Sequence, residues 1–221
     1  FNPGAESADV LAESPDCVIV ATGGFPDTPP LAGGQDLVVS TWDILSGDVV
    51  PGKNVLLFDD AGDHAALQAA EMIVAGDGKV EIITPDRTFS PEIMGLNLVP
   101  YIRSLQGDNA VFTVAQRLEG VERSGNGLSA VIGSDYRDFA RKVEVDQVVV
   151  NCGTKPMDEL YFELKPHSRN QGAVDYAALT QGRPQDLRKN PDGTFALYRI
   201  GDAVSSRNTH AAVYDALRLM K

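Results

Sequence analysis

One pattern occurs twice in this chain and limits the folds open to it. Its first copy is Asp16-Cys17-Val18-Ile19-Val20-Ala21-Thr22-Gly23-Gly24-Phe25-Pro26. The second is Asp146-Gln147-Val148-Val149-Val150-Asn151-Cys152-Gly153-Thr154-Lys155-Pro156. In each, an acidic residue precedes a run that is wholly or mainly β-branched and apolar, a glycine follows, and a proline closes the pattern. Such a run reads as a strand buried on both faces, the kind found in parallel sheets. The glycine supplies backbone freedom at the strand's carboxyl end, and the proline stiffens the exit.

Between the copies lies a complete α/β unit, expected to begin where the composition changes at Pro51-Gly52-Lys53. Val55 to Phe58 reads as a strand, Ala65 to Ala75 as a helix ended by Gly76, and Val80 to Thr84 as a second strand. A right-handed crossover makes these two strands parallel. Residues 91–107 read as helical in part, with a kink or break at Pro100. From Val111 to Val145 short alternating runs surround Ser124-Gly125-Asn126-Gly127, a hairpin or meander signal. Before the unit, Ala5 to Glu13 reads as the end of a helix or a connector. Residues 38–47 read as a short extended piece and a short helix capped by Ser40 or Thr41. After it, Arg183 to Gly193 is expected to be an exposed loop. A closing helix from about Thr209 to Met220 has an apolar side of Ala212, Val213, Ala216, Leu217 and Met220.

The turn after Phe58 decides what the central unit can hold. A dinucleotide needs Gly-x-Gly-x-x-Gly there, so that backbone N–H groups at a helix start can approach its pyrophosphate. This sequence has Asp59, Ala61 and His64 at the three glycine positions, and further carboxylates at Asp60 and Asp63. Thr84 stands where a ribose-binding acid is wanted. Repulsion from three acids and obstruction by side chains predict a nucleotide-binding fold without a dinucleotide. Asp59 and Asp60 are expected to repel one another, whereas Asp63 is placed to favour the helix start.

The net charge of −12 and pI near 4.6 argue against nucleic acid and anionic membranes as partners. No apolar run approaches the roughly 20 residues that span a bilayer, and no signal-peptide pattern opens the chain. Cys17 and Cys152 both fall in expected buried strands and read as small hydrophobes, which fits a reducing cytoplasm. Neither His64 nor His167 has partners at metal-ligand spacing. Asp202, Ser205, Ser206 and His210 lack the elbow and oxyanion hole of a hydrolase. Trp42, Tyr161 and Phe162 read as packing residues. The chain opens at Phe1, just before a strand expected at the centre of a sheet, and no glycine-rich phosphate loop precedes Asp16. It is therefore expected to be part of a longer polypeptide.

The repeat resembles the paired strands of flavoproteins in which one dinucleotide-binding domain is inserted into another. Arg199-Ile200-Gly201-Asp202-Ala203 resembles the late Gly-Asp motif of that family. The segments PDCVIVATGGFPDTPPLAGGQDLVVSTWDILSG, DELYFELKP and RIGDAVSSRNTHAAVYDALRL are similar to the carboxyl-terminal third of the trimethylamine, histamine and dimethylglycine dehydrogenase group. That group belongs with the 2,4-dienoyl-CoA reductase type of enoate reductase. The resemblance implies an α/β fold, with a Rossmann-like parallel sheet and an antiparallel β-meander. Residues 1–50 would end a first, FAD- or ADP-type unit, 51–156 form an inserted NAD(P)-like unit, and 157–221 return to the first. Thr22, Gly23, Gly24, Gly201 and Asp202 would form partial walls of a nucleotide site. The parent would be an amine or N-methyl-amine dehydrogenase or demethylase with an FMN barrel upstream, an iron–sulfur cluster, and ADP or FAD. It would pass electrons to an electron-transfer flavoprotein. The fragment itself is expected to hold no cofactor and no chemistry. Two alternatives are the NAD(P)H-binding domain of an enoate reductase and a docking module for an electron-transfer flavoprotein.

Overall fold

The computed structural model describes residues 4–107 and 109–219. They form two compact units: residues up to Phe25 together with those from Thr154 onward, and Pro26–Gly153. The first begins with helix α1 (Ser7–Ala12), strand β1 (Cys17–Val20) and strand β2 (Gly24–Pro26).

The second unit holds strand β3 (Val38–Ser40), helix α2 (Thr41–Ser46), strand β4 (Asn54–Asp59), helix α3 (His64–Ala75) and strand β5 (Lys79–Ile83). Helix α4 (Gly95–Leu105) and strand β6 (Ala110–Thr113) follow, then strands β7 (Arg117–Ser124), β8 (Gly127–Gly133), β9 (Ala140–Val145) and β10 (Gln147–Asn151). A parallel sheet runs in the order β3-β10-β4-β5-β6, and β7-β8-β9 form an antiparallel sheet. The strand alternation explains how both faces are covered. Val55 and Leu57 pack with Ala66, Leu67, Ala70 and Ile73 of α3. Leu56 and Phe58 point the other way, into Leu118, Val121, Ala130 and Ile132 of the antiparallel sheet. Burying such side chains contributes about 1.5–3 kcal/mol each.

The chain then returns to the first unit as strand β11 (Thr154–Pro156), helix α5 (Glu159–Leu164), helix α6 (Tyr176–Thr180), strand β12 (Ala196–Arg199) and helix α7 (Thr209–Leu219). Strands β1 and β12 are parallel, β2 pairs with β11, and Val20, Tyr161, Leu164, Phe195 and Leu197 form the core.

Several expectations are corrected. Residues 26–50 lie with the second unit, not the first, because Val38 and Val39 of β3 pair with Val148 and Val149 of β10. The second repeat strand is buried throughout Val148–Asn151, but in the first only Val20 is, and Cys17 and Ile19 are exposed. The reason is position: β10 has a strand on each side, whereas β12 is the one partner of β1 among the described residues. Cys17 is thus not a buried hydrophobe, and Cys152 is half-buried. Helix α4 continues through Pro100. Strand β6, expected in the meander, instead edges the parallel sheet. In α7 no described residue is buried, and Val213 and Leu217 face outward; Met220 lies outside the described residues. Trp42 and Phe162 are likewise exposed.

Candidate functional site

The strand-to-helix turn of the second unit is built around a buried carboxylate. Asp59, the last residue of β4, is 1% exposed. Its Oδ1 accepts from the Gly62 N–H at 2.9 Å and from Asn151 Nδ2 at 2.9 Å. The same Asn151 amide donates to Asp63 Oδ1 at 2.9 Å, and its Oδ1 accepts from Thr41 Oγ1 at 3.3 Å. The Asn151 carbonyl accepts from the N–H groups of Asp60 and Ala61 at 2.9 and 3.1 Å. Burial pushes the Asp59 carboxyl up from 3.8 to about 6; the Gly62 and Asn151 bonds pull it down, and nearby Asp63 adds to the rise. Asp63 is the N-cap of α3, its Oδ1 accepting from the Ala65 N–H at 3.0 Å.

The three acids therefore do different things. The expected repulsion between Asp59 and Asp60 does not govern the turn, because Asp59 turns inward to donors while Asp60 lies 3.8 Å from the Arg117 guanidinium. Beside them, burial pushes the Cys152 thiol up to about 12, so it stays protonated and unreactive near neutrality.

Gly62 is closed from a second direction. It has φ +68°, and a Cβ there would lie 2.5 Å from Pro91 Cδ. Its carbonyl accepts from the Glu92 N–H at 3.1 Å, which ties the 90–92 strap to the turn. Within that strap Ser90 is 2% exposed at φ +46°, and its Oγ has no partner among the described residues. Thr84 is fully buried and its Oγ1 accepts from the Asp86 N–H at 3.2 Å. His64, the first residue of α3, places Nδ1 2.9 Å from Tyr101 Oη. These residues do not fit a dinucleotide: the Gly62 N–H is already bonded to Asp59, and Thr84, not an acid, follows the last residue of β5.

The first unit sets Thr22 and Gly23 against Met157, Gly24 against Thr154 and Lys155, Asp202 against the same Thr154, and Gly201 against Asp215. The Thr22 hydroxyl donates to the Met157 carbonyl, and the Met157 N–H donates to the Gly23 carbonyl at 3.0 Å. Gly23 has φ +76° with open space where a Cβ would stand. At Gly24 a Cβ would meet the Lys155 carbonyl at 2.7 Å and Thr154 Cβ at 2.9 Å, so close strand approach requires this glycine. Asp202 Oδ2 accepts from Thr154 Oγ1 at 3.0 Å, and its Oδ1 from the Arg207 N–H at 3.3 Å. The Gly201 N–H donates to Asp215 Oδ2 at 3.1 Å, and Asn208 caps α7 by accepting from the Ala211 N–H at 3.0 Å.

Two residues of this system escape a reading of the sequence alone. Thr154 seats Asp202, although the second repeat gives it no distinction beyond following Gly153. Arg199 bonds Asp158 and the Ala203 carbonyl and stacks 4.7 Å from the Tyr161 ring centroid, bracing both ends of the wall. Both Asp202 carboxylate oxygens are engaged within the unit, and Gly23 leaves open space where a Cβ would stand. Among the described residues no group of three or more His, Cys, Asp or Glu is arranged to hold a metal ion. No described helix is long and apolar enough to cross a membrane.

No protein-family model matches the chain. It is 59% identical over all 221 residues to a probable N-methylproline demethylase of Rhizobium meliloti, covering 33% of that protein. It is 42% identical to the N,N-dimethylglycine/sarcosine dehydrogenase of Chromohalobacter salexigens, over 98% of this chain and 33% of that one. The chain thus spans about a third of the length of these relatives. Histamine dehydrogenase from Rhizobium sp. 4-9 shares the fold, with a TM-score of 0.71 at 17% identity, over 97% of this chain and 32% of that one. Over its whole length the chain is similar in sequence to a third of each of these demethylase and dehydrogenase relatives, and in fold to part of histamine dehydrogenase, so that what it matches is the carboxyl-terminal region of that group.

Proposed function

We propose that the chain is the nucleotide-binding-like part of a flavin-dependent oxidoreductase that demethylates N-methyl amino acids. The observation that carries this is the identity of 59% and 42%, over essentially the whole chain, to two proteins named for N-methylated substrates. In such a reaction the N–CH₃ carbon is oxidised by two electrons, water adds to the resulting iminium carbon, and formaldehyde leaves the amine. A bound flavin supplies the two-electron acceptor. An FMN barrel and an iron–sulfur cluster elsewhere in the parent, and an electron-transfer flavoprotein as acceptor, complete the proposal.

Within this chain the work is division of a scaffold. The first unit contributes a wall of Thr22, Gly23, Gly24, Gly201 and Asp202 to an ADP or FAD site, where the Asp202 carboxylate can accept a hydroxyl. The second unit, an NAD(P)-like fold, supports without binding. Its closed turn weighs against the enoate-reductase alternative, in which NAD(P)H must reach that turn. The test is to produce the parent polypeptide and supply N-methylproline and dimethylglycine with an artificial acceptor. Formaldehyde equimolar with reduced acceptor is expected. Reduction of the bound flavin by NADH, with no formaldehyde from either amine, would overturn the reading in favour of a reductase.

A further inference from the structure

We propose that the Asp59 carboxylate is a resident anion of the second unit, taking the Gly62 N–H that a bound phosphate would otherwise take and so completing the turn without a nucleotide. This rests on the reading of the second unit as a scaffold. Four observations converge on it. The strand-to-helix turn keeps the features that favour an anion: a left-handed Gly62, an N–H directed inward, and the start of α3. The anion supplied is a side chain from the end of β4, wholly buried and bonded by two donors. Asn151, from the end of β10, ties that anion to the helix cap Asp63, so one amide serves both carboxylates. The strap through Ser90, Pro91 and Glu92 then packs against Gly62 and is bonded to its carbonyl.

A resident anion has a consequence that an exchangeable one lacks, since it can be discharged only by protonation. Asp63, in the same turn, is the charged group that acts on Asp59, whereas Asp60 turns to Arg117 on β7, 3.8 Å away. Asn151 and the neutral Cys152 thiol come from β10 and its exit, with Asp27 acting on the same thiol. His64 stands at the start of α3 and is bonded to Tyr101; Thr84 and Asp86 follow β5. Asp59 holds its proton up to about pH 6 when folded, against 3.8 when unfolded. The protonated form therefore stabilises the fold, fully below the unfolded value, and that contribution is lost as pH rises through about 6.

The experiment compares thermal unfolding of the purified protein with Asp59→Asn and Asp59→Ala between mildly acidic and mildly alkaline pH. Asp59→Asn keeps an acceptor for Gly62 without the charge. The melting temperature of the wild type, relative to this variant, is expected to fall by a few degrees as pH rises through 6. Asp59→Ala leaves Gly62 and Asn151 without an acceptor, and sodium formate is expected to raise its melting temperature more than sodium chloride at equal ionic strength. Formate should leave the wild type unmoved. Parallel pH profiles for the wild type and Asp59→Asn overturn the proposal, as does a folded Asp59→Ala protein indifferent to formate. If Asp59→Ala does not fold, the Asp59→Asn comparison decides alone. A fluorescence titration with NADH separates the two readings. Saturable binding to the wild type overturns the scaffold reading and the resident anion together, whereas no binding with parallel pH profiles overturns the resident anion alone.

Discussion

Asn151 shows how one side chain organises a loop that was visible only as a charge problem. Its amide donates to Asp59 and Asp63, its side-chain oxygen accepts from Thr41, and its carbonyl holds the backbone of Asp60 and Ala61. Asn151→Ala is expected to cost about 1–3 kcal/mol, because a buried carboxylate then loses a donor it cannot replace from water. Asp63→Ala should cost about 1 kcal/mol by removing the cap of α3. Asp60→Asn should stay within about 0.5 kcal/mol, since its ion pair with Arg117 is solvent-exposed. Urea unfolding of the three variants checks this order; a large loss from Asp60→Asn alone would refute the division of roles. The acids at 59, 60 and 63 and the cap at 63 were legible in the sequence. The inward turn of Asp59 was not, because its donor stands at the end of a different strand, and no local pattern pairs Asp59 with Asn151.

At the scale of elements, the sequence was most informative where burial is complete on both sides. The apolar run from Val55 to Phe58 must face two cores, and it does. Less legible were pieces whose surroundings decide their state. The first repeat strand is as β-branched and apolar as the second, yet neighbouring strands and not composition set its exposure. The 26–50 segment also misled, because its glycines and prolines mimic a boundary while Gly34 locks it onto β7. At Gly34, with φ +80°, a Cβ would fall 2.0 Å from the Val121 carbonyl oxygen. Gly47, at the carboxyl end of α2, has a similar φ of +82° and open space around it. Gly47→Ala should therefore cost about 1–2 kcal/mol from the left-handed backbone alone. Gly34→Ala should cost roughly 1–3 kcal/mol more from the forced shift of β7. Equal losses for the two variants in thermal unfolding would show that the 26–50 segment is not held by this contact.

For the whole molecule, the proposed division into an incomplete nucleotide wall and a closed scaffold unit predicts what the purified chain will and will not bind. It should show no stoichiometric flavin or iron–sulfur absorbance. Calorimetry should detect no NADH or NADP binding near the low micromolar level, about −8 kcal/mol. A coloured preparation would contradict the first expectation and a measurable titration the second. The family and the α/β class were legible from the repeat and the Gly-Asp tail. The seating of Asp202 was not, since it depends on Thr154, brought beside it only by the chain's return. That return has a further consequence. The second unit begins and ends at one place, where the Asp27 N–H donates to the Gly153 carbonyl at 3.0 Å. A segment whose two ends already touch loses little chain entropy when its neighbours are removed or rejoined elsewhere. Residues 26–153, expressed alone, should unfold in one cooperative transition, and the second unit should behave as a cassette. An insert exchanged as one block for residues 26–153 would need to meet the outer chain at only two positions, a hydrogen bond apart in the fold.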